Sequence, residues 1–146
     1  MTLPHPQWVN RLAFSPDGNL LATADDDMLL RLWNPHTGQN TATLRGHNSV
    51  VECVAFSPDG KLIASGGKTG EIKLWDTATA REIATLRAPD ADLVWWLAFS
   101  SDGKSLAVAE GRASSMVKPH SVVVWDISQR RVVVTLPGHK DHIETV

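Results

Sequence analysis

Apolar residues fall along this chain in short runs, each closed by a turn signal, and no stretch keeps the spacing of a capped amphipathic helix. Val50 to Phe56 is apolar and β-branched up to Ser57-Pro58-Asp59-Gly60, where proline presets φ and glycine accepts a positive one. Lys61 to Ser65 follows, then a Gly66-Gly67-Lys68-Thr69-Gly70 reversal, then Ile72 to Trp75. A further turn leads into Glu82 to Leu86, whose polar–apolar alternation suits a half-exposed outer strand. The pattern predicts four short antiparallel strands, and the stretches on either side repeat the plan. The chain reads as all-β.

The repetition has a fixed period. Phe14-Ser15-Pro16-Asp17-Gly18 recurs from Phe56 and again, as Phe-Ser-Ser-Asp-Gly, from Phe99, at intervals of 42 and 43 residues. Trp33-Asn34, Trp75-Asp76 and Trp125-Asp126 are spaced by 42 and 50, and Gly46-His47 and Gly138-His139 by 92. Three landmarks thus share one register, with seven extra residues placed in the third unit between Glu110 and His120.

A Gly-His pair, a Ser-Pro-Asp-Gly turn and a closing Trp-Asp at this period resemble the WD-repeat β-propeller family. The resemblance implies a partial β-propeller of three four-stranded antiparallel blades, an open sector rather than a closed ring. Blade 1 is expected over about residues 5–44, blade 2 over 47–86 and blade 3 over 90–136, with a fourth begun at 138–146. The sector is expected to be a fragment of a longer propeller, or else to associate with another copy. Self-association or further blades would cover the end faces, because the terminal units show no polar cap.

The resemblance also implies that the recurring His, hydroxyl, Asp and Trp form a buried hydrogen-bonded strut inside each blade rather than a catalytic or metal site. Register assigns His5, Thr23, Asp27 and Trp33 to the first unit, and His47, Ser65 and Trp75 to the second, where Thr69 replaces the Asp. The third keeps only Trp125, with Asp90 in the His place and Val108 in the hydroxyl place, so packing is expected to hold it. Binding positions in the family imply a partner face made of Trp8, Asn10, Asp26, Val50, Glu52, Lys68, Leu93, Trp95, His142 and Glu144. Trp8 and Trp95 stand out, since the other units place no aromatic there.

Other constellations are weaker. Gly66-Gly67-Lys68-Thr69 lacks the upstream glycine of a phosphate-binding loop and joins two strands. Asp25-Asp26-Asp27 lacks the glycine and distal glutamate of a helical calcium loop, and His139 with His142 lacks a third ligand. Cys53 sits inside a strand as a small core residue, and there is no nucleophile elbow. No cofactor, metal or catalytic residue is expected.

Composition narrows the partners. Fourteen basic against sixteen acidic residues give a formal charge of -2, which offers no field for phosphate backbones, so nucleic acid is not an expected partner. The apolar runs are far shorter than a membrane span, and Met1 to His5 opens no secretory signal. The single cysteine excludes an internal disulfide and fits a cytoplasmic setting. The expected function is a non-enzymatic scaffold for protein or peptide partners. A regulatory or sensor segment of a larger signalling protein is the alternative, and a propeller-fold hydrolase a more distant one.

Overall fold

Each Ser-x-Asp-Gly segment closes on itself through short-range hydrogen bonds, and these turns set the strand boundaries. In the second, Ser57 Oγ donates to Asp59 Oδ1 at 2.7 Å and accepts from Leu62 N at 2.9 Å. The same contacts recur from Ser15 to Asp17 and Leu20, and from Ser100 to Asp102 and Ser105. The proline position takes no part in them, which is why Ser101 can replace it. Asn34, Asp76 and Asp126 cap the turn after the third strand by accepting backbone N–H groups, and this gives the residue after each tryptophan its role.

The structure, a computed structural model, describes residues 3–87, 91–111 and 120–139. The first unit forms β1 (Val9–Phe14), β2 (Leu21–Asp25), β3 (Leu30–Trp33) and β4 (Asn40–Leu44). The second forms β5 (Val51–Phe56), β6 (Leu62–Gly67), β7 (Glu71–Asp76) and β8 (Arg81–Arg87). The third forms β9 (Leu93–Phe99), β10 (Ser105–Gly111), β11 (His120–Asp126) and β12 (Arg131–His139). Each unit is its own four-stranded antiparallel sheet with neighbours in chain order, and the three do not close into a ring. The architecture is the expected all-β open sector of a propeller.

One feature differs from the sequence reading. Gly66 and Gly67 lie in β6, paired with Cys53 and Val51, so the reversal expected from Gly66 begins only at Lys68. Neighbouring chain explains the glycines: a Cβ on Gly66 would sit 2.6 Å from Val94 Cγ1, and one on Gly67 would sit 2.0 Å from the Val50 carbonyl oxygen. β12 runs on through Gly138 and His139, where His139 pairs with His120, and the rest of the fourth unit expected at 138–146 lies outside the described residues. The bulk of the expected insertion, at 112–119, lies outside the described residues, as do Asp90, His142 and Glu144.

The core lies between sheets. Ala22, Ala24, Leu30, Leu32 and Leu44 of the first pack against Val51, Val54, Ile63 and Trp75 of the second. Ala64, Ile72, Leu74 and Leu86 of the second pack in turn against Val94, Leu97, Leu106, Val108, Val123 and Trp125 of the third. A fully buried side chain of this size stabilises by about 1.5–3 kcal/mol, so each interface is held by several such contributions. The innermost strands stack in series, β5 lying against β1 on one side and β9 on the other.

Candidate functional site

The recurring polar residues are built into the sheets. In blade 2, Trp75 Nε1 donates to Ser65 Oγ at 2.8 Å, and His47 Nε2 lies 2.7 Å from the same oxygen. All three are buried. Burial, helped by the Lys73 ammonium, pushes the His47 pKa down to about 4, so the imidazole is neutral near pH 7. Lys73 is itself buried and donates to Glu82 Oε2 at 3.0 Å and Thr85 Oγ1 at 2.8 Å. Burial acts to raise the Glu82 carboxyl, but hydrogen bonds from Thr85 and Lys73 hold it below the ordinary glutamate range.

Blade 1 uses its residues differently. Trp33 Nε1 donates to Thr23 Oγ1 at 3.1 Å, while His5 Nδ1 meets Asp25 Oδ2 at 3.0 Å rather than the hydroxyl. Asp27 faces Arg31, which also binds Asp25, so one guanidinium bridges two carboxylates. Hydrogen bonding from Arg31 holds Asp27 below the usual aspartate range. Strand geometry explains the exchange: Thr23 and Asp25 share one face of β2, and Arg31 is the register partner of Thr23 on β3. The alternation was legible in the sequence, but the motif drew attention to Asp27 instead.

Blade 3 has no such strut among the described residues. Trp125, assigned to the network by register, is buried and its indole N–H has no acceptor there, because Val108 occupies the hydroxyl position. Val108, Val123 and Trp125 are buried together in this blade, and Ser121 Oγ donates to Glu110 Oε1 at 3.1 Å.

The expected partner face divides in two. Trp8, 80% exposed, immediately precedes β1, and its carbonyl accepts from Asp26 N at 3.0 Å. Asn10 Nδ2 donates to Asp26 Oδ1 at 2.8 Å and to the Val51 carbonyl of blade 2 at 3.0 Å. Glu52 pairs with Lys68 at 3.1 Å, and Val50 is half-buried beside them. Leu93 is a correction: it is 2% exposed and belongs to the interior. Its backbone pairs with Gly111 at the far end of β10, so β9 starts earlier and carries Leu93 inside. Trp95 is half-buried with its indole nitrogen shielded from solvent.

A signal that sequence reasoning missed unites three of these positions. The β1–β2 register skips Asn10, the β5–β6 register skips Glu52 and the β9–β10 register skips Trp95. Each is the extra residue of a β-bulge, a device that re-aims a side chain at the end of a strand pair. Arg11, next to the first bulge, lies 3.9 Å above the Trp96 ring and so joins the innermost strands of blades 1 and 3. Among the described residues no group of three His, Cys, Asp or Glu side chains is arranged to hold a metal ion. Asp25, Asp26 and Asp27 all have protein partners. Burial pushes the Cys53 thiol up, away from the reactive thiolate.

Comparison with known proteins agrees with this plan. The family model described as WD domain, G-beta repeat matches residues 1–34 and 38–76, together half of the chain. The Notchless protein homolog of Arabidopsis thaliana is 51% identical over 43 residues, which cover 30% of this chain and 9% of that protein. WD repeat-containing protein 86 of Homo sapiens is 45% identical over 47 residues, covering 32% and 12% respectively. The solved structure of U3-55K superposes with a TM-score of 0.85 at 28% identity, over 97% of this chain and 43% of its own length. The crystal structure of RRP9 WD40 repeats gives 0.84 at 28% identity, over 97% and 42%. The chain therefore spans less than half of these solved chains and about a tenth of the curated relatives. Two repeats match the family model, and a third repeats the same turn and sheet plan: the chain belongs to the WD40 repeat family.

Proposed function

We propose that this chain is a non-enzymatic scaffold for protein or peptide partners, one sector of a larger WD-repeat propeller, that binds through the face carrying Trp8, Asn10, Asp26, Glu52 and Lys68. The observation that carries the reading is Trp8: a tryptophan 80% exposed, held at a strand entry by the Asp26 hydrogen bond, next to the bulge residue Asn10. A large ring on a fixed backbone loses little entropy on binding, and such residues dominate interface energetics. Asn10, Asp26, Glu52 and Lys68 offer polar contacts around it, and the Asn10–Val51 bond ties two blades into one rigid platform.

The polar residues that resemble a catalytic pair are already engaged. Ser65 is fully buried and accepts from Trp75, and His47 beside it has too low a pKa to serve as a base near neutrality. The near-neutral charge favours protein over nucleic acid as the partner, and the single buried thiol suits a reducing, cytoplasmic setting.

Selection from a displayed peptide library against the immobilised chain tests this. Trp8→Ala should weaken the enriched peptides about 30-fold, the equivalent of about 2 kcal/mol, with circular dichroism unchanged. Peptides that bind wild type and Trp8→Ala alike would refute the assignment of this face.

A further inference from the structure

One register position differs in chemistry among the three blades while the positions after it repeat. Arg11 pairs with Ala24, Cys53 with Gly66 and Trp96 with Ala109, so these three occupy the same place on β1, β5 and β9. One step on, the strands carry Leu12, Val54 and Leu97, and then an alanine each. Sheet packing sets the later positions and leaves the earlier one free to vary. Each variable residue directly follows a bulge, at Asn10, Glu52 or Trp95, where the strand re-aims its side chains.

The three variable residues meet at one place. β5 lies between β1 and β9, and its short Cys53 side chain does not bar Arg11 from placing its guanidinium 3.9 Å from the centre of the Trp96 ring. A cavity of about 310 Å³ opens there, a size that suits a small ligand, and its lining comes from β1, β5 and β9 alone. Among the described residues that line it, Arg11 alone is charged, since burial keeps the Cys53 thiol protonated.

The guanidinium is held in place but not satisfied. Stacking on Trp96 uses one of its faces and leaves the N–H donors in its plane free. Its Nε is shielded from solvent and has no acceptor, and none of the ion pairs among the described residues includes Arg11.

We propose that this cavity binds a small apolar carboxylate. The carboxylate accepts from the Arg11 N–H groups, and the hydrocarbon body lies against Trp96, Val54 and Leu97. Charge decides the head group: a cation would face Arg11 with no lining carboxylate to receive it. A phosphate carries more charge and more acceptors than one guanidinium in an apolar lining can serve. The site is distinct from the face around Trp8, and the inference does not rest on peptide binding there.

Isothermal titration calorimetry at constant ionic strength tests it, with 2-naphthoate, phenylacetate and octanoate as probes. At least one should bind saturably at one site per chain, and the amide of the same body should bind about tenfold more weakly. Arg11→Met keeps an apolar stem over Trp96 and should weaken the carboxylate by a similar factor, with circular dichroism unchanged. The comparison of acid with amide uses wild type alone, so it stands even where that variant fails to fold. Of the six indole N–H resonances, that of Trp96, assigned through Trp96→Phe, should shift most on binding. No saturation by any probe at millimolar concentration would overturn the proposal. So would equal affinity for acid and amide, acid binding untouched in a folded Arg11→Met chain, or a larger shift at another tryptophan.

Discussion

Ser65→Ala isolates the strut of blade 2. The side chain is fully buried, and its Oγ serves both Trp75 Nε1 at 2.8 Å and His47 Nε2 at 2.7 Å. Alanine keeps the Cβ, so the change opens almost no cavity but leaves a buried indole N–H and an imidazole nitrogen without a partner. Each such orphan costs about 1–3 kcal/mol, and water has little access to either. We expect a loss of about 2–4 kcal/mol, a large part of the roughly 5–15 kcal/mol that holds a typical domain. Urea unfolding followed by circular dichroism, at pH 7 and one protein concentration, measures it. The midpoint should fall while the slope with denaturant stays constant. Ser128→Ala is the control, because its hydroxyl bond to Asp126 at 2.7 Å is exposed and should be worth less than about 0.5 kcal/mol. Once Ser65 is alanine, Trp75→Phe should cost less than it does in the wild type, since the indole N–H has already lost its acceptor. Equal small effects at Ser65 and Ser128 would refute the claim that this hydroxyl braces the blade.

Stability should fall on mild acidification. His47 titrates near 4 when folded against 6.5 ordinarily, so the unfolded chain binds the extra proton between those values. The His47 contribution is complete above about pH 6.5 and lost as pH drops through 4, about 3 kcal/mol in all, and His47→Gln should flatten that part of a urea-midpoint profile. The turn carboxylates are held down by their hydroxyl and backbone hydrogen bonds, Asp17 to about 2, so their loss comes only at pH values below 3.8. Gly67→Ala would place a Cβ 2.0 Å from the Val50 carbonyl and should destabilise by about 3 kcal/mol or more in the same assay. Ala80 has φ of 55°, where its counterpart Gly38 has 73°, so Ala80→Gly should raise the midpoint by relieving strain of about 1 kcal/mol.

Fold and site were not equally legible in the sequence. The Ser-x-Asp-Gly turns and the tryptophans at equal intervals act within one unit, and short-range order of that kind is written directly in residue spacing. The site depends on what crosses between units. Nothing local announces that Leu93 turns inward, that Gly66 must clear Val94, or that Arg11 reaches Trp96 past an intervening strand. Asp25 was hidden for a different reason: it stands in a run of three aspartates, and only the face it shares with Thr23 singles it out. The bulges at Asn10, Glu52 and Trp95 leave no composition signal, since one amide, one acid and one aromatic fill the same backbone role.

The central claim is that the repeated hydroxyls and indoles brace the blades from within while Trp8 faces outward. Hydrogen exchange at the indole N–H groups of the six tryptophans tests it most directly. Trp33 and Trp75 should be strongly protected, Trp75 should lose that protection in Ser65→Ala, and Trp8 should exchange at the rate of a free indole. Trp75 and Trp8 exchanging alike in the wild type would contradict the account.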